Sequence, residues 1–183
     1  MPSFTMVRHG KAAAGWDDAD PPLDNAGRAQ ADAMAAAIGG DPRPLFSSPL
    51  RRARETAGAL ERLWGTSALI EPRVGEVTAP DEFDVATRMK WLRGFLGGTY
   101  TEAGADYRAW RDDVLDTLRA LPDGAVVVSH FVAINVAIGK AWGDDRVVCR
   151  PVDNCSRTTI EIDPLTDSWR VVALGDAAIT HVN

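Results

Sequence analysis

A chain of 183 residues, 45% of them hydrophobic and 25% charged, has the balance of a soluble globular domain with a core of its own. Its net charge of −6 excludes a broad basic face, so neither nucleic acid nor an anionic membrane is an expected partner, and an anionic ligand must be met by a few local cations. Two cysteines, Cys149 and Cys155, are too few for a disulfide scaffold, and with three histidines, His9, His130 and His181, neither a zinc cluster nor any other metal or cofactor is expected.

The N-terminal segment MPSFTMVRHG has neither a basic start nor a long apolar run, and no segment has the length of a membrane span, so a cytoplasmic protein is expected. Residues 3–8 read as a first strand, followed by Gly10, and residues 11–24 as a loop. Asp24 is a good N-cap for a helix through NAGRAQADAMAAAI, which Gly39 and Gly40 stop. RPLFSS reads as a second strand. In SPLRRARETAGALERLWG, Ser48 is the expected N-cap and Pro49 the first helical residue, a position proline tolerates. Leu50, Ala53, Ala57 and Leu60 form its buried stripe. SALIEP reads as a short third strand. Residues 81–98 carry Val85, Met89, Leu92 and Leu96 at helical spacing, with Trp91 and Phe95 beside them. Residues 105–121 repeat the pattern with Tyr107, Trp110, Val114, Leu118 and Leu121. AVVVSH is a continuous apolar strand of the kind buried on both faces of a parallel sheet, and FVAINVAIGKAW an apolar helix. RTTIEID and WRVVAL, joined through PLTD, are expected to pair as a hairpin.

Strands alternating with helices predict an α/β fold, a three-layer sandwich with a mostly parallel central sheet and helices on both faces. No repeat or linker divides residues 1–183, so one domain is expected. Ligands of such sheets bind beyond the carboxyl ends of the strands. Three strands end there in polar residues: Arg8–His9, Ser47–Ser48 and Ser129–His130. If those ends meet, the crevice holds two imidazoles, Arg8, and Arg51 or Arg52 from the next helix. Arginine suits phosphate because its planar guanidinium donates in a fork and keeps its charge. Histidine can serve as nucleophile, base or donor. Two histidines and two arginines together suggest phosphoryl transfer through a phosphohistidine. Alternation along a strand sends Arg8 and His9 to opposite faces, so the chain is expected to leave regular β geometry by His9, with Gly10 permitting the turn.

VRHGKA at the end of the first strand resembles the signature of the histidine phosphatase superfamily. PLDNAGRAQA (22–31) is similar to the segment after that family's first loop, SSPLRRARETA (47–57) to its S-P-L-x-R-A-x-x-T-A, VVVSHFVAIN (126–135) to its second histidine strand and helix, and DNCSRTTIE (153–161) to its late strand entry. The resemblance implies a phosphoglycerate mutase-like fold and a metal-independent phosphomonoester hydrolase. His9 would be the nucleophile. Arg8, Arg52 and His130 would bind the phosphate and stabilise the charge in flight. A carboxylic acid would protonate the leaving oxygen and later activate water. PRVGEVTAP (72–80) looks like the family's R-L-x-E segment, which implies Glu76 for that role, with Asp81, Glu82 and Asp84 as rivals. Residues 77–110 would be a small cap over the site, which favours a phosphorylated small molecule over a phosphoprotein. A phosphohistidine protein phosphatase, a phosphoglycerate mutase and a non-catalytic phospholigand-binding module are the alternatives.

Two departures from the family pattern bear on specificity. Lys11 and Ala12 follow the Arg-His-Gly, and Trp16 and Asp17 lie where a phosphate-contacting asparagine is usual, so Lys11 or a main-chain amide is expected to substitute. Phe131 replaces a glycine after the second histidine, which predicts a bulkier, more apolar wall beside His130. Asp24 and Gln30 are expected to be structural, and Arg111 either to reach the site or to pair with nearby aspartates. His181 is expected to be exposed and idle.

Overall fold

Six strands make one sheet in the order β3-β2-β4-β1-β5-β6, formed by β1 (Ser3–Arg8), β2 (Leu45–Ser47), β3 (Leu69–Ile70), β4 (Ala125–Ser129), β5 (Arg157–Asp163) and β6 (Ser168–Leu174). The computed structural model describes residues 1–13, 18, 20–81 and 83–175, without the side chain of Val85. β1 pairs in parallel with β4, β4 with β2, and β2 with β3; β5 runs antiparallel to β1, and β6 antiparallel to β5. The sheet is therefore mostly parallel, and its last two strands are the expected hairpin.

Period-two alternation sorts the central strands between two cores. Val7, Val126, Val128 and Leu45 face one side, where they pack with Ala31, Met34 and Ala35 of helix α1 (Asn25–Ile38) and Ala53, Ala57 and Leu60 of helix α2 (Arg51–Trp64). Phe4, Met6, Ala125 and Val127 face the other, against Val114 and Leu118 of α5 (Ala105–Arg119) and Ile134 and Ile138 of α6 (Phe131–Trp142). All five residues of β4 are buried, as its unbroken apolar run requires. Between β3 and α5 the chain makes a 3-10 turn (Pro72–Val74), helix α3 (Val85–Leu96) and the short helix α4 (Tyr100–Ala103).

Several boundaries differ from expectation. α2 begins at Arg51, and Leu50 stands at its N-cap without a side-chain cap. Ser48 accepts the Leu50 N–H, but its hydroxyl also lies 2.7 Å from His130, so it belongs to the strand-end cluster rather than to the helix. The second strand shortens to three residues and the third to two, because each needs a neighbour to pair with and β3 is the sheet edge. α4 is a turn made by a capping box: Thr99 accepts the Glu102 N–H while the Glu102 carboxylate takes the Thr99 N–H. Its sequence is too short for helical periodicity to show. On α3 the buried residue is Phe95, while Met89, Leu92 and Leu96 are more exposed. Phe95 packs in an aromatic group with Trp91, Tyr100 and Tyr107 at ring-centroid distances of 5.0–6.1 Å.

Candidate active site

The carboxyl ends of β1 and β4 lie side by side, and the chain just beyond them brings the predicted side chains together. His9 N–H donates to Ser129 O at 3.0 Å, so His9 keeps its place beside β4. β1 ends at Arg8, so the chain leaves regular strand geometry by His9 as expected, and Gly10 follows without a left-handed backbone. Arg8 and His9 take different partners, and both lie near Arg52. Arg8 lies over the Phe131 ring, 5.2 Å from its centroid, and donates to Val152 O at 2.7 Å. His9 meets Arg52 on the α2 side, where Arg52 Nε donates to His9 Nε2 at 3.2 Å. Phe131 thus carries a cation on its face.

Gly10 is required for a different reason. A Cβ there would stand 2.6 Å from Gly27 O, and a Cβ on Gly27 would stand 2.1 Å from Lys11 O. The loop after His9 therefore lies directly on the first turn of α1. Thr56, fully buried, ties the same loop to α2: it accepts the Gly10 N–H at 2.9 Å and donates to Arg52 O at 2.7 Å. From the other side Asn154 Nδ2 donates to His9 O at 2.9 Å, next to Cys155, whose φ of 57° lets its N–H reach Arg8 O. Gly27, Thr56 and Asn154 were not singled out by sequence reasoning as parts of the site. Each occupies a motif segment, which is the signal that would have found them.

The imidazole of His9 is buried, and its Nδ1 lies 2.8 Å from Gly10 O. A carbonyl only accepts, so Nδ1 carries the proton and Nε2 keeps its lone pair. Burial, with Arg52 and Arg8 nearby, pushes the His9 pKa down to about 3, against the raising effect of the Gly10 carbonyl. His130 is fully buried with its ring centroid 5.1 Å from that of His9; burial, then His9, Arg52 and Arg8, push it down to about 2. Both histidines are neutral at physiological pH. Among the described residues, Arg8 Nε and His130 Nδ1 are buried without partners, the condition of groups arranged for a ligand.

Glu76 arrives on the segment after the 3-10 turn, which Ser129 fastens to the strand end through Oγ to Val74 O at 2.6 Å. Its carboxylate accepts the Val77 N–H at 3.1 Å and interacts with Arg8, Arg52 and the Val132 amide in the first turn of α6. Burial nevertheless dominates and raises its pKa to about 7. Such a group is both a usable acid and a usable base near neutrality. Asp84 is spent as the N-cap of α3, accepting the Thr87 N–H at 2.7 Å, and Asp81 is exposed. Glu82 lies outside the described residues, as do Trp16, Asp17 and His181. The Lys11 side chain lies 3.4 Å from Asp24. Asp24 caps α1 and Gln30 accepts the Lys11 N–H, both structural. Arg111 pairs with Asp145 at 3.0 Å and with Asp112, and does not reach the cluster. Asp20, at the mouth, lies 3.8 Å from Arg52 and accepts the Arg51 N–H.

An uncharged imidazole with an unprotonated Nε2, two arginines, a donor-capable second imidazole and a carboxyl group with a pKa near neutrality form a set fitted to phosphoryl chemistry. A relative from Photorhabdus laumondii subsp. laumondii, described as a probable phosphoglycerate mutase, is 28% identical over 212 residues, covering 97% of this chain and 94% of its own. The crystal structure of a phosphoglycerate mutase from Thermus thermophilus is 25% identical, with a TM-score of 0.61 over 96% of this chain and 99% of that one. A mycobacterial glucosyl-3-phosphoglycerate phosphatase in complex with VO3 has the same fold, with a TM-score of 0.74 at 22% identity over 97% of this chain and 100% of that one. The family profile of the histidine phosphatase superfamily (branch 1) matches residues 4–177, and the chain belongs to that superfamily.

Proposed function

We propose that the protein is a metal-independent phosphomonoester hydrolase that works through a phosphohistidine on His9. The observation that carries this reading is the His9 tautomer: Nδ1–H is held by Gly10 O, and the Nε2 lone pair faces Arg52. Nε2 attacks phosphorus and forms the N–P bond as the P–O ester bond breaks. Glu76, as the carboxylic acid, gives its proton to the leaving oxygen. Water then attacks phosphorus, its proton passes to the Glu76 carboxylate, and the N–P bond breaks with its electron pair returning to Nε2. Arg8, Arg52 and His130 bind the phosphate and stabilise charge on its equatorial oxygens through both steps. The two arginines supply the positive charge that a metal supplies elsewhere.

The substrate class we favour is a phosphorylated small molecule. Residues 77–110, within the single domain, serve in this reading as a cap, and the Tyr107 hydroxyl donates to Thr78 O at 3.3 Å, two residues beyond Glu76. Rapid quenching with a labelled phosphate ester tests the mechanism. An acid-labile phosphoenzyme is expected, and it should vanish in His9→Ala; full turnover by His9→Ala would overturn the mechanism. Activity is expected to persist with chelator present.

The names of the Photorhabdus relative and the Thermus structure favour a second reading, a phosphoglycerate mutase. It differs in returning the phosphoryl group to a second hydroxyl rather than to water. Isomerisation of a phosphoglycerate faster than phosphate release would establish it.

A further inference from the structure

The two ring nitrogens of His130 have different surroundings. Nε2 lies 2.7 Å from the Ser48 hydroxyl, while Nδ1 is buried without a partner. Ser48 is also fully buried, and its main chain is held by its N–H to Val128 O at 3.0 Å. One lone pair of its oxygen accepts the Leu50 N–H at 3.2 Å. Among the described residues, the hydroxyl proton then has a single acceptor, Nε2. The reverse arrangement, with Nε2–H donating to Oγ, would bury the hydroxyl proton with nothing to receive it. A neutral imidazole carries one proton. A serine that donates to Nε2 therefore leaves that proton on Nδ1.

We propose that Ser48 is a positioning residue that locks His130 as the Nδ1–H tautomer, so that the ring nitrogen without a partner among the described residues is a donor that a phosphate can use. The inference rests on reading the cluster as a phosphate site. Both histidines then share a tautomer and use it oppositely. His9 spends its N–H on Gly10 O and offers a lone pair; His130 spends its lone pair on Ser48 and offers an N–H. A phosphate held between the rings meets a nucleophile on one side and a donor on the other. An unlocked His130 would turn a lone pair toward the anion and repel it. Ser48 also sits at the end of β2, four residues before Arg52, so one short segment both orients His130 and carries an arginine to the site.

Imidazole-labelled protein without ligand, read by long-range proton–nitrogen NMR near neutral pH, tests the lock. The chain has three histidines, and His130→Ala assigns the relevant signals. A protonated-type Nδ1 and a bare Nε2 are expected for His130; a protonated Nε2 in the unsubstituted protein would overturn the proposal. Ser48→Ala is expected to lose the pattern and to weaken vanadate binding about 10- to 100-fold, the effect of one hydrogen bond to a charged ligand. Ser48→Thr, which keeps the hydroxyl, should restore both. A Ser48→Ala protein that kept the Nδ1–H pattern and full vanadate affinity would also overturn it. If Ser48→Ala does not fold, the spectrum of the unsubstituted protein still decides. Because the tautomer is read without turnover, a missing phosphoenzyme would count against the hydrolase reading and not against the lock.

Discussion

Arg52 Nε donates to His9 Nε2 across 3.2 Å, so the lone pair proposed to attack phosphorus is occupied until a phosphate arrives. The arriving anion has to take that donor, and the fork of the guanidinium lets Arg52 grip it without moving far. Lysine keeps the charge and loses the fork. Arg52→Lys is therefore expected to lower kcat/KM about 10- to 100-fold, measured with an aryl phosphate. The exposed neighbour Arg51, whose side chain pairs with Glu55 at 2.9 Å, is the control: Arg51→Ala should stay within about twofold. Equal losses in the two variants would remove Arg52 from the site.

Desolvation of the half-buried Glu76 side chain raises its pKa to about 7, and the Val77 amide and the two arginines only partly offset that. Its protonated form is the one that assists the leaving oxygen. With an alkyl phosphate, whose leaving group needs a proton, the rate of ester cleavage should fall about tenfold per pH unit above about pH 7. An aryl phosphate with a good leaving group should show a shallower decline. Glu76→Gln should slow alkyl ester cleavage by about 10²–10⁴ and remove the pH dependence. Persistence of the alkaline limb in Glu76→Gln would assign the acid to another group.

The sheet and its layers were legible because local pattern and tertiary role agree: the apolar run of β4 and the stripes of α1 and α2 each have one place to go. Helix starts were less legible. Ser48 and Pro49 make a good local start signal, but the Ser48 hydroxyl is drawn to His130, 82 positions away, and α2 begins at Arg51. The convergence of Arg8, His9, Arg52, Glu76 and His130 could be expected from motifs. The groups that brace it could not, because their bonds span long separations: Thr56 to Gly10 across 46 positions and Asn154 to His9 across 145. The departure from strand geometry at His9 was legible too, because a regular strand would part Arg8 from His9 and β1 ends at Arg8.

The same shifts give the fold a pH signature. The folded pKa of Glu76 is raised from 4.5 to about 7, so its contribution to stability is fully present below 4.5 and lost as pH rises through 7. Burying the ionised carboxylate above that pH costs on the order of 3 kcal/mol. His9 and His130 act in the opposite sense: their stabilising contribution is present above 6.5 and lost as pH falls toward about 3 and about 2. Glu76→Gln mimics the protonated acid. Thermal melts should show it more stable than the unsubstituted protein at about pH 8.5 and nearly equal at about pH 5. An identical shift at both values would mean that Glu76 is not buried as a charge.

Gly10 and Gly27 make the sharpest structural prediction, since each faces backbone rather than a side chain that can rotate away. The Cβ of Gly27→Ala would stand 2.1 Å from Lys11 O, and that of Gly10→Ala 2.6 Å from Gly27 O. Relief requires moving the loop off α1, and the loop carries His9. Overpacking of this kind costs about 1–3 kcal/mol, and the displacement should also pull Gly10 N–H from Thr56 and tilt the His9 ring away from Arg52. Either variant is expected to lower both the melting temperature and kcat, with the loss of kcat surviving at temperatures where the variant is fully folded. Gly94 in α3 is the counterpart: nothing lies within 4 Å of its Cβ, so Gly94→Ala should stabilise by up to about 1 kcal/mol through helix propensity alone. A Gly27→Ala protein as stable and as active as the original would show that α1 and the His9 loop are not in contact.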